Sequence, residues 1–162
     1  MMPTTKNVYL KLIFPIFLLS AFFSCDTKKP EQPATSKNSN EITLIRLSHI
    51  GGTMGEYRII KVTKDSIFAE KGATANKTHQ EWASAISIDT WKQLISSINV
   101  KDLDYIKSSP SQQSVDGIDE TFQIRTAKKA HFYVNSFADP EHYKQLQLLK
   151  EQLDNILPKE YK

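Results

Sequence analysis

The chain has 162 residues and carries 21 basic and 18 acidic side chains, which gives a formal net charge of +3. This near balance, with no dense block of Lys and Arg, argues against nucleic-acid binding, so no nucleic-acid partner is expected. Cys25 is the only cysteine, so the chain has no internal disulfide to form.

The N-terminal stretch is typical of a secretion signal. Lys6 and Lys11 precede an apolar run over residues 12–23. A helix needs ~20 apolar residues to span a bilayer core, so this run is too short for that role but has the length of a signal-peptide hydrophobic region. A packed core helix is the alternative, and Pro15 and the lack of a polar face argue against it. We therefore expect residues 1–24 to be a signal peptide.

The end of this run, AFFSC at residues 21–25, places a small serine directly before the cysteine. It resembles a bacterial lipobox, and the phenylalanine at position 22, where leucine is usual, makes it similar to those of Bacteroidota lipoproteins. The resemblance implies cleavage before Cys25 and acylation of its sulfur, with each buried CH₂ adding ~0.8 kcal/mol of membrane affinity. Cys25 is thus the predicted lipidation site, in contact with a lipid bilayer. An ordinary cleaved signal that leaves an unmodified Cys25 is the alternative.

Residues 26–40 contain no aromatic side chain and one aliphatic side chain, Ala34. Such a segment has too little to bury to offset its ordering entropy, so residues 25–40 are predicted to be a lipidated cysteine followed by a disordered tether. No acidic run follows Cys25, whereas the surface-export signals of Bacteroidota lipoproteins are similar to short acidic runs. We therefore expect an anchor in the cell envelope that faces the periplasm.

The remaining residues, 41–162, are predicted to form one globular domain, since about 120 residues can bury a core of their own. Four strands are expected first, at residues 41–50, 56–63, 66–71 and 78–86. Glycines at positions 51, 52 and 55 form the first turn. A phosphate-binding loop is the alternative for this turn, but such loops precede a helix, and here a strand follows.

A helix is predicted from a cap at Ser87 or Asp89 to about Ile98, because its apolar residues recur at spacings of three and four. A polar loop over residues 108–117 follows. Val100, Leu103 and Ile106 lie between the two, and their spacing is compatible with a further short turn.

Two further strands, 120–126 and 130–137, are predicted to be joined at residues 127–129. Phe122 and Ile124 would share the inner face with Phe132 and Val134, and His131 would point outward. The last helix would begin at residues 139–141, where a capping carboxylate precedes a proline, and end at Pro158. The fold class is therefore α+β in the order ββββ-α-ββ-α: an antiparallel sheet of five to seven strands with two main helices on one face.

The succession of the glycine turn, the hairpin, the ISIDTWKQLISSI helix and a Leu-rich terminal helix resembles small, uncharacterised lipoproteins of Bacteroidota. The piece from Pro110 to Gly117, ahead of a strand, is similar as well. Some related families carry a G-x-C-P-x-Y motif in the first turn, but the stretch from Gly52 to Tyr57 has neither Cys nor Pro. The resemblance therefore implies no activity, and no redox or metal role is carried over.

Residues that could carry chemistry are few. The four histidines, His49, His79, His131 and His142, lack metal-ligand spacing, so no metal site and no cofactor are expected. Carboxylates cluster in the 102–120 region, at Asp102, Asp104, Asp116, Asp119 and Glu120. Paired carboxylates serve in hydrolases, but they are equally common in turns.

The loop at residues 108–117 is the best candidate for a binding surface, because function tends to lie in loops on a rigid scaffold. A plain solvated connector is the alternative. The candidate residues are Tyr105, Ser108, Ser111, Gln112, Asp116 and Asp119. The sequence thus predicts a membrane-anchored, non-enzymatic binding module of the envelope whose partner is an envelope protein or a glycan. The alternative is an envelope hydrolase that uses carboxylates of the 102–120 region.

Overall fold

Six strands form one antiparallel sheet in the computed structural model, which describes residues 40–162. The strands are β1 (Ile42–Gly51), β2 (Glu56–Val62), β3 (Ser66–Ala73), β4 (Thr78–Ala85), β5 (Ile118–Thr126) and β6 (Ala130–Val134). They lie in the order β4-β3-β2-β1-β5-β6. The helices are α1 (Ile88–Ser96) and α2 (Lys144–Ile156). The α+β class and the order ββββ-α-ββ-α are confirmed.

The predicted signal peptide, Cys25 and residues 26–39 of the predicted tether lie outside the described residues. Within residues 40–162, no helix is long and apolar enough to cross a membrane.

The core lies between the two helices and one face of the sheet. Two apolar rows cross this face from strand to strand, because residues directly opposite each other on neighbouring strands share a face. The first row is Phe122, Leu47, Ile60, Ala69 and Trp82, and the second is Ile124, Ile45, Val62 and Ile67. Trp91 and Leu94 of α1 belong to the same core, as do Leu146, Leu149 and Leu153 of α2.

Helix α1 begins where the sequence predicts. Ser87 is its N-cap, and its Oγ accepts a hydrogen bond of 3.0 Å from the N–H of Thr90. This bond satisfies one of the backbone donors that the first turn of a helix leaves unpaired.

The predicted faces of β6 are wrong. His131 and Tyr133 point into the core, 8% and 4% exposed, whereas Phe132 is 59% exposed on the other face. The turn into β6 has two residues rather than three: Thr126 N donates to Lys129 O at 2.8 Å, and Ile124 lies opposite His131. A shift of one residue in register reverses every side chain of a strand, which accounts for the error.

The predicted start of the last helix is also wrong. The Asp139 carboxylate does cap a turn, since its Oδ1 accepts from His142 N at 3.2 Å. The regular helix α2, however, begins only at Lys144. The same carboxylate accepts from Lys107 N at 3.0 Å, so Asp139 also holds the segment that follows α1.

Candidate functional site

A third row on the helix-covered face of the sheet is polar. The register places Glu120 opposite His49, His49 opposite Arg58, and Arg58 opposite Lys71. Gln80 lies opposite Lys71 at the end of this polar row. Five strands therefore contribute one polar side chain each, next to the apolar row that contains Phe122.

The buried end of the polar row is the Glu120 carboxylate. It accepts hydrogen bonds from His49 Nε2 at 3.1 Å, Tyr143 Oη at 2.8 Å and Lys150 Nζ at 2.5 Å. Burial on its own would raise the pKa of Glu120, but these hydrogen bonds outweigh burial and lower the pKa to about 2. Glu120 is thus an ionised carboxylate whose partners hold it in place. Burial and the bond to Glu120 together raise the pKa of the Tyr143 hydroxyl.

Helix α2 serves both the core and the polar row. Lys150 and Asp154 are four residues apart and lie on one side of the helix. Lys150 bonds to Glu120, and Asp154 pairs with the Arg58 guanidinium. The buried leucines of α2 occupy the neighbouring side. The helix therefore has an apolar line over the apolar rows and a polar line along the polar row.

The exposed end of the polar row contacts the last turn of the chain. Arg58 Nε donates to Tyr161 O at 2.7 Å, and Lys71 Nζ donates to Glu160 O. Lys71 Nζ also lies 5.4 Å from the centre of the Tyr161 ring. Among residues 40–162, Lys71 has no carboxylate within ion-pair distance, in contrast to Arg58.

A cleft of about 580 Å³ opens above this end of the polar row. His49, Arg58, Lys71 and Gln80 line it, and Thr78 and Glu56 contribute from the strand ends. Three side chains that can carry positive charge thus lie side by side on neighbouring strands. Glu120 and Asp154 offset His49 and Arg58, whereas Lys71 has no such carboxylate among residues 40–162, so an anion in the cleft would interact most favourably with Lys71.

Three of the predicted binding-surface residues clamp the loop to the sheet. The Asp119 carboxylate accepts from Ser111 Oγ at 2.5 Å, from Gln112 N at 2.8 Å and from Asn135 Nδ2 at 2.8 Å. Burial on its own would raise the pKa of Asp119, but these three bonds outweigh burial and lower it. These bonds hold the loop against β5, which is the structural role of Ser111, Gln112 and Asp119.

The other three predicted residues lie in separate places. Ser108 Oγ accepts from Val134 N at 3.0 Å and so holds the loop against β6. Asp116 follows a short 3₁₀ helix with φ of 57°. Tyr105 is 65% exposed, and its ring stacks on His142 with 6.2 Å between the centroids. Among the six predicted residues, hydrogen bonds join Ser111 and Gln112 to Asp119.

A hydrolase was the alternative prediction, and the carboxylates that it would use bond to different partners in the structure. Asp102 accepts from Asn99 Nδ2 at 2.6 Å, and Asp104 pairs with Lys129. Asp119 and Glu120 are adjacent in β5, so they point to opposite faces of the sheet. Glycosidase carboxylates must face each other across a substrate, and these two do not. Within residues 40–162, no group of three or more His, Cys, Asp or Glu side chains is arranged to hold a metal ion.

The sequence contained a signal for the polar row. Along β1, Ile45, Leu47 and His49 share one face; along β5, Ile124, Phe122 and Glu120 do the same. Near one end of each strand, a polar residue takes a position that the alternation would give to an apolar side chain. These positions mark where the core ends and the site begins. Period-two analysis that tracked these exceptions would have found them.

A comparison of the chain with profiles of known protein families found no match, and a comparison with curated proteins found none either.

Proposed function

We propose that the chain is a lipid-anchored binding module of the cell envelope whose ligand-binding site is the cleft above the polar row. The observation that carries this proposal is the convergence of His49, Arg58 and Lys71, from three neighbouring strands, on one cleft. No step of bond cleavage is assigned to it, because Glu120, the strongly perturbed carboxylate beside it, is fully engaged by its three partners.

The charge of the cleft favours an acidic ligand. Lys71 presents a cation whose partners among residues 40–162 are a carbonyl and an aromatic ring rather than a carboxylate. An ammonium group in a partly enclosed cleft attracts anions more strongly than one in open solvent. Among the described residues that line the cleft, the acidic one is Glu56, which lies at the first position of β2. A carboxylate or phosphate group on the ligand would give Lys71 the acidic partner that it lacks among residues 40–162.

The size of the cleft favours a sugar unit over a folded protein partner. A volume of about 580 Å³ lies within the range of small-ligand sites, roughly 300–1,000 Å³. Stable protein–protein contacts instead bury about 800 Å² on each partner over a broad surface. Gln80 and Thr78 supply donors and acceptors that suit sugar hydroxyls. We therefore infer that the ligand is an acidic glycan of the envelope.

Ligand binding is tested with the full chain in detergent and a panel of neutral, uronic-acid-containing and phosphorylated oligosaccharides. We expect the acidic members to bind, with affinities that fall as salt is raised, and the neutral members of equal length to bind weakly or not at all. Equal binding of neutral and acidic members, or no binding of any member, would contradict an acidic glycan as the ligand. Saturable binding of an envelope protein, with no glycan of the panel bound, would also contradict an acidic glycan as the ligand.

The anchor is tested separately at Cys25. Labelled palmitate should be incorporated into the wild-type chain, and Cys25→Ala should abolish both the labelling and partition into the detergent phase. Unchanged labelling of the variant would overturn the lipoprotein assignment and leave the cleft unaffected.

A further inference from the structure

Strand β4 ends the sheet and has a row of backbone groups that face away from it. Ile86 N donates to Asp65 O at 3.2 Å, in continuation of the β3–β4 register. Bonded pairs alternate in an antiparallel ladder, so the even-numbered residues of β4 bond to β3. The N–H and C=O groups that point outward belong to His79, Glu81, Ala83 and Ala85.

The two edges of the sheet differ in their protection. At β6, Ser109 N donates to Val134 O at 2.8 Å and Val134 N donates to Ser108 Oγ at 3.0 Å, so the loop covers that end of the edge. At β4, seven of the eight residues are exposed. The strand contains no Pro and no Lys, and its register with β3 is regular, without a bulge. Apart from the single charge of Glu81, β4 therefore lacks the usual devices that prevent edge pairing.

The sequence of β4 is complementary to itself in one antiparallel register. If Trp82 faces Trp82 of a second copy, then Glu81 faces Ala83, His79 faces Ala85, and Gln80 faces Ser84. This register aligns the outward backbone groups of the whole strand and places no like charges opposite each other. A shift by two in one direction places Glu81 directly opposite Glu81, which is unfavourable, and a shift by two in the other direction leaves His79 without a partner inside β4.

We propose that two copies of this chain associate through β4 into one continuous twelve-stranded antiparallel sheet, with Trp82 at the two-fold axis. The four bonded pairs would exchange about eight backbone hydrogen bonds, two for each pair. The two Trp82 side chains lie on the helix-covered face, where each already packs near Tyr161 with 6.3 Å between ring centroids. Copies anchored in the same membrane would meet at a raised local concentration, which favours such a contact.

Disulfide trapping in membranes tests the register with the full chain. The variant with both Gln80→Cys and Ser84→Cys places each new thiol opposite its counterpart in the second copy. Non-bonded antiparallel pairs have Cα atoms about 4.5 Å apart, within the range of roughly 4.4–6.8 Å that a disulfide spans. Within one copy the two positions are ~13 Å apart along the strand and cannot be joined. Each single variant and the wild-type chain, which retains Cys25, serve as controls.

We expect mild oxidation to give a dimer band on non-reducing gels for the double variant and not for the controls. Adding Ala83→Glu should abolish the band, because a carboxylate would face Glu81 of the second copy, whereas Ala83→Lys should preserve it. A double variant that stays monomeric would overturn the proposal. So would equal cross-linking of the single variants, equal effects of the two Ala83 variants, or cross-linking to a protein of different mass.

Discussion

Glu120 determines how the polar row responds to acid. Its pKa lies near 2 in the folded chain, against an ordinary value of 4.5. A carboxylate whose pKa is lower in the folded state stabilises that state above its unfolded pKa, and the contribution disappears as the pH falls through the folded value. The stabilisation from Glu120 should therefore be complete above about pH 5 and be lost between pH 4.5 and pH 2.

This pH dependence is tested with Glu120→Gln. At pH 7 we expect the variant to be less stable than the wild type, because Lys150 and His49 lose the carboxylate that they contact. Thermal melts from pH 7 to pH 2 should show the difference in Tm between the two proteins shrinking below pH 4.5. A difference in Tm that stays constant from pH 7 to pH 2 would show that these contacts do not depend on the negative charge of Glu120.

Single residues of the site were only partly accessible from sequence. Each member of the polar row is an ordinary polar residue in its own strand, and the row exists only once five strands are in register. In the sequence Glu120 lies in a cluster of carboxylates, yet its partners His49 and Lys150 are 71 and 30 residues away. Sequence proximity grouped Glu120 with Asp119, although the two face opposite sides of the sheet.

At the scale of elements, α2 and the turn before β6 show where patterning succeeds and fails. In α2, Leu146, Leu149 and Leu153 recur at spacings of three and four, a pattern that indicates the buried stripe found in the structure, because one apolar face of a helix is enough to define its orientation. In β6 both faces carry large side chains, so alternation alone could not orient the strand. The turn at Ala127 and Lys128 decided the register, and one residue more or less in that turn reverses the strand.

The buried stripe of α2 is tested with a pair of substitutions. Leu149 is fully buried, and Leu149→Ala should lower the free energy of unfolding by ~2–5 kcal/mol, from lost transfer energy and the cavity left behind. Gln147 is exposed, and its side chain donates to Glu151 at 3.2 Å, so Gln147→Ala should change the free energy of unfolding by about 0.5 kcal/mol or less. Denaturant melts measure both values. Similar, small effects at the two positions would mean that α2 does not cover the sheet.

At the scale of the whole molecule, one sheet face is divided between the apolar core and the polar row beside the cleft. Two apolar rows and the helices above them form the core, and the adjacent polar row lies where the cleft opens. The antiparallel order of the strands followed from short turns between them and was predictable. The position of the cleft was not, because the described residues that line it come from five strands and meet only when the sheet is in register.

The most direct test of the cleft compares Lys71→Ala with Lys61→Ala. Lys61 lies on the opposite face of the sheet and is 3.8 Å from Glu70, so it matches Lys71 in charge but not in position. Both variants should fold with nearly wild-type stability, since exposed or half-buried lysines contribute little. Stability is checked by denaturant melts before binding is measured.

The deciding measurement is the affinity of these two variants and the wild type for the tightest-binding acidic oligosaccharide. We expect Lys71→Ala to weaken binding by about tenfold or more, the loss typical of a charge-assisted hydrogen bond, and Lys61→Ala to leave it unchanged. Equal affinities for Lys71→Ala and the wild type, with both proteins folded, would contradict the assignment of the cleft as the ligand site.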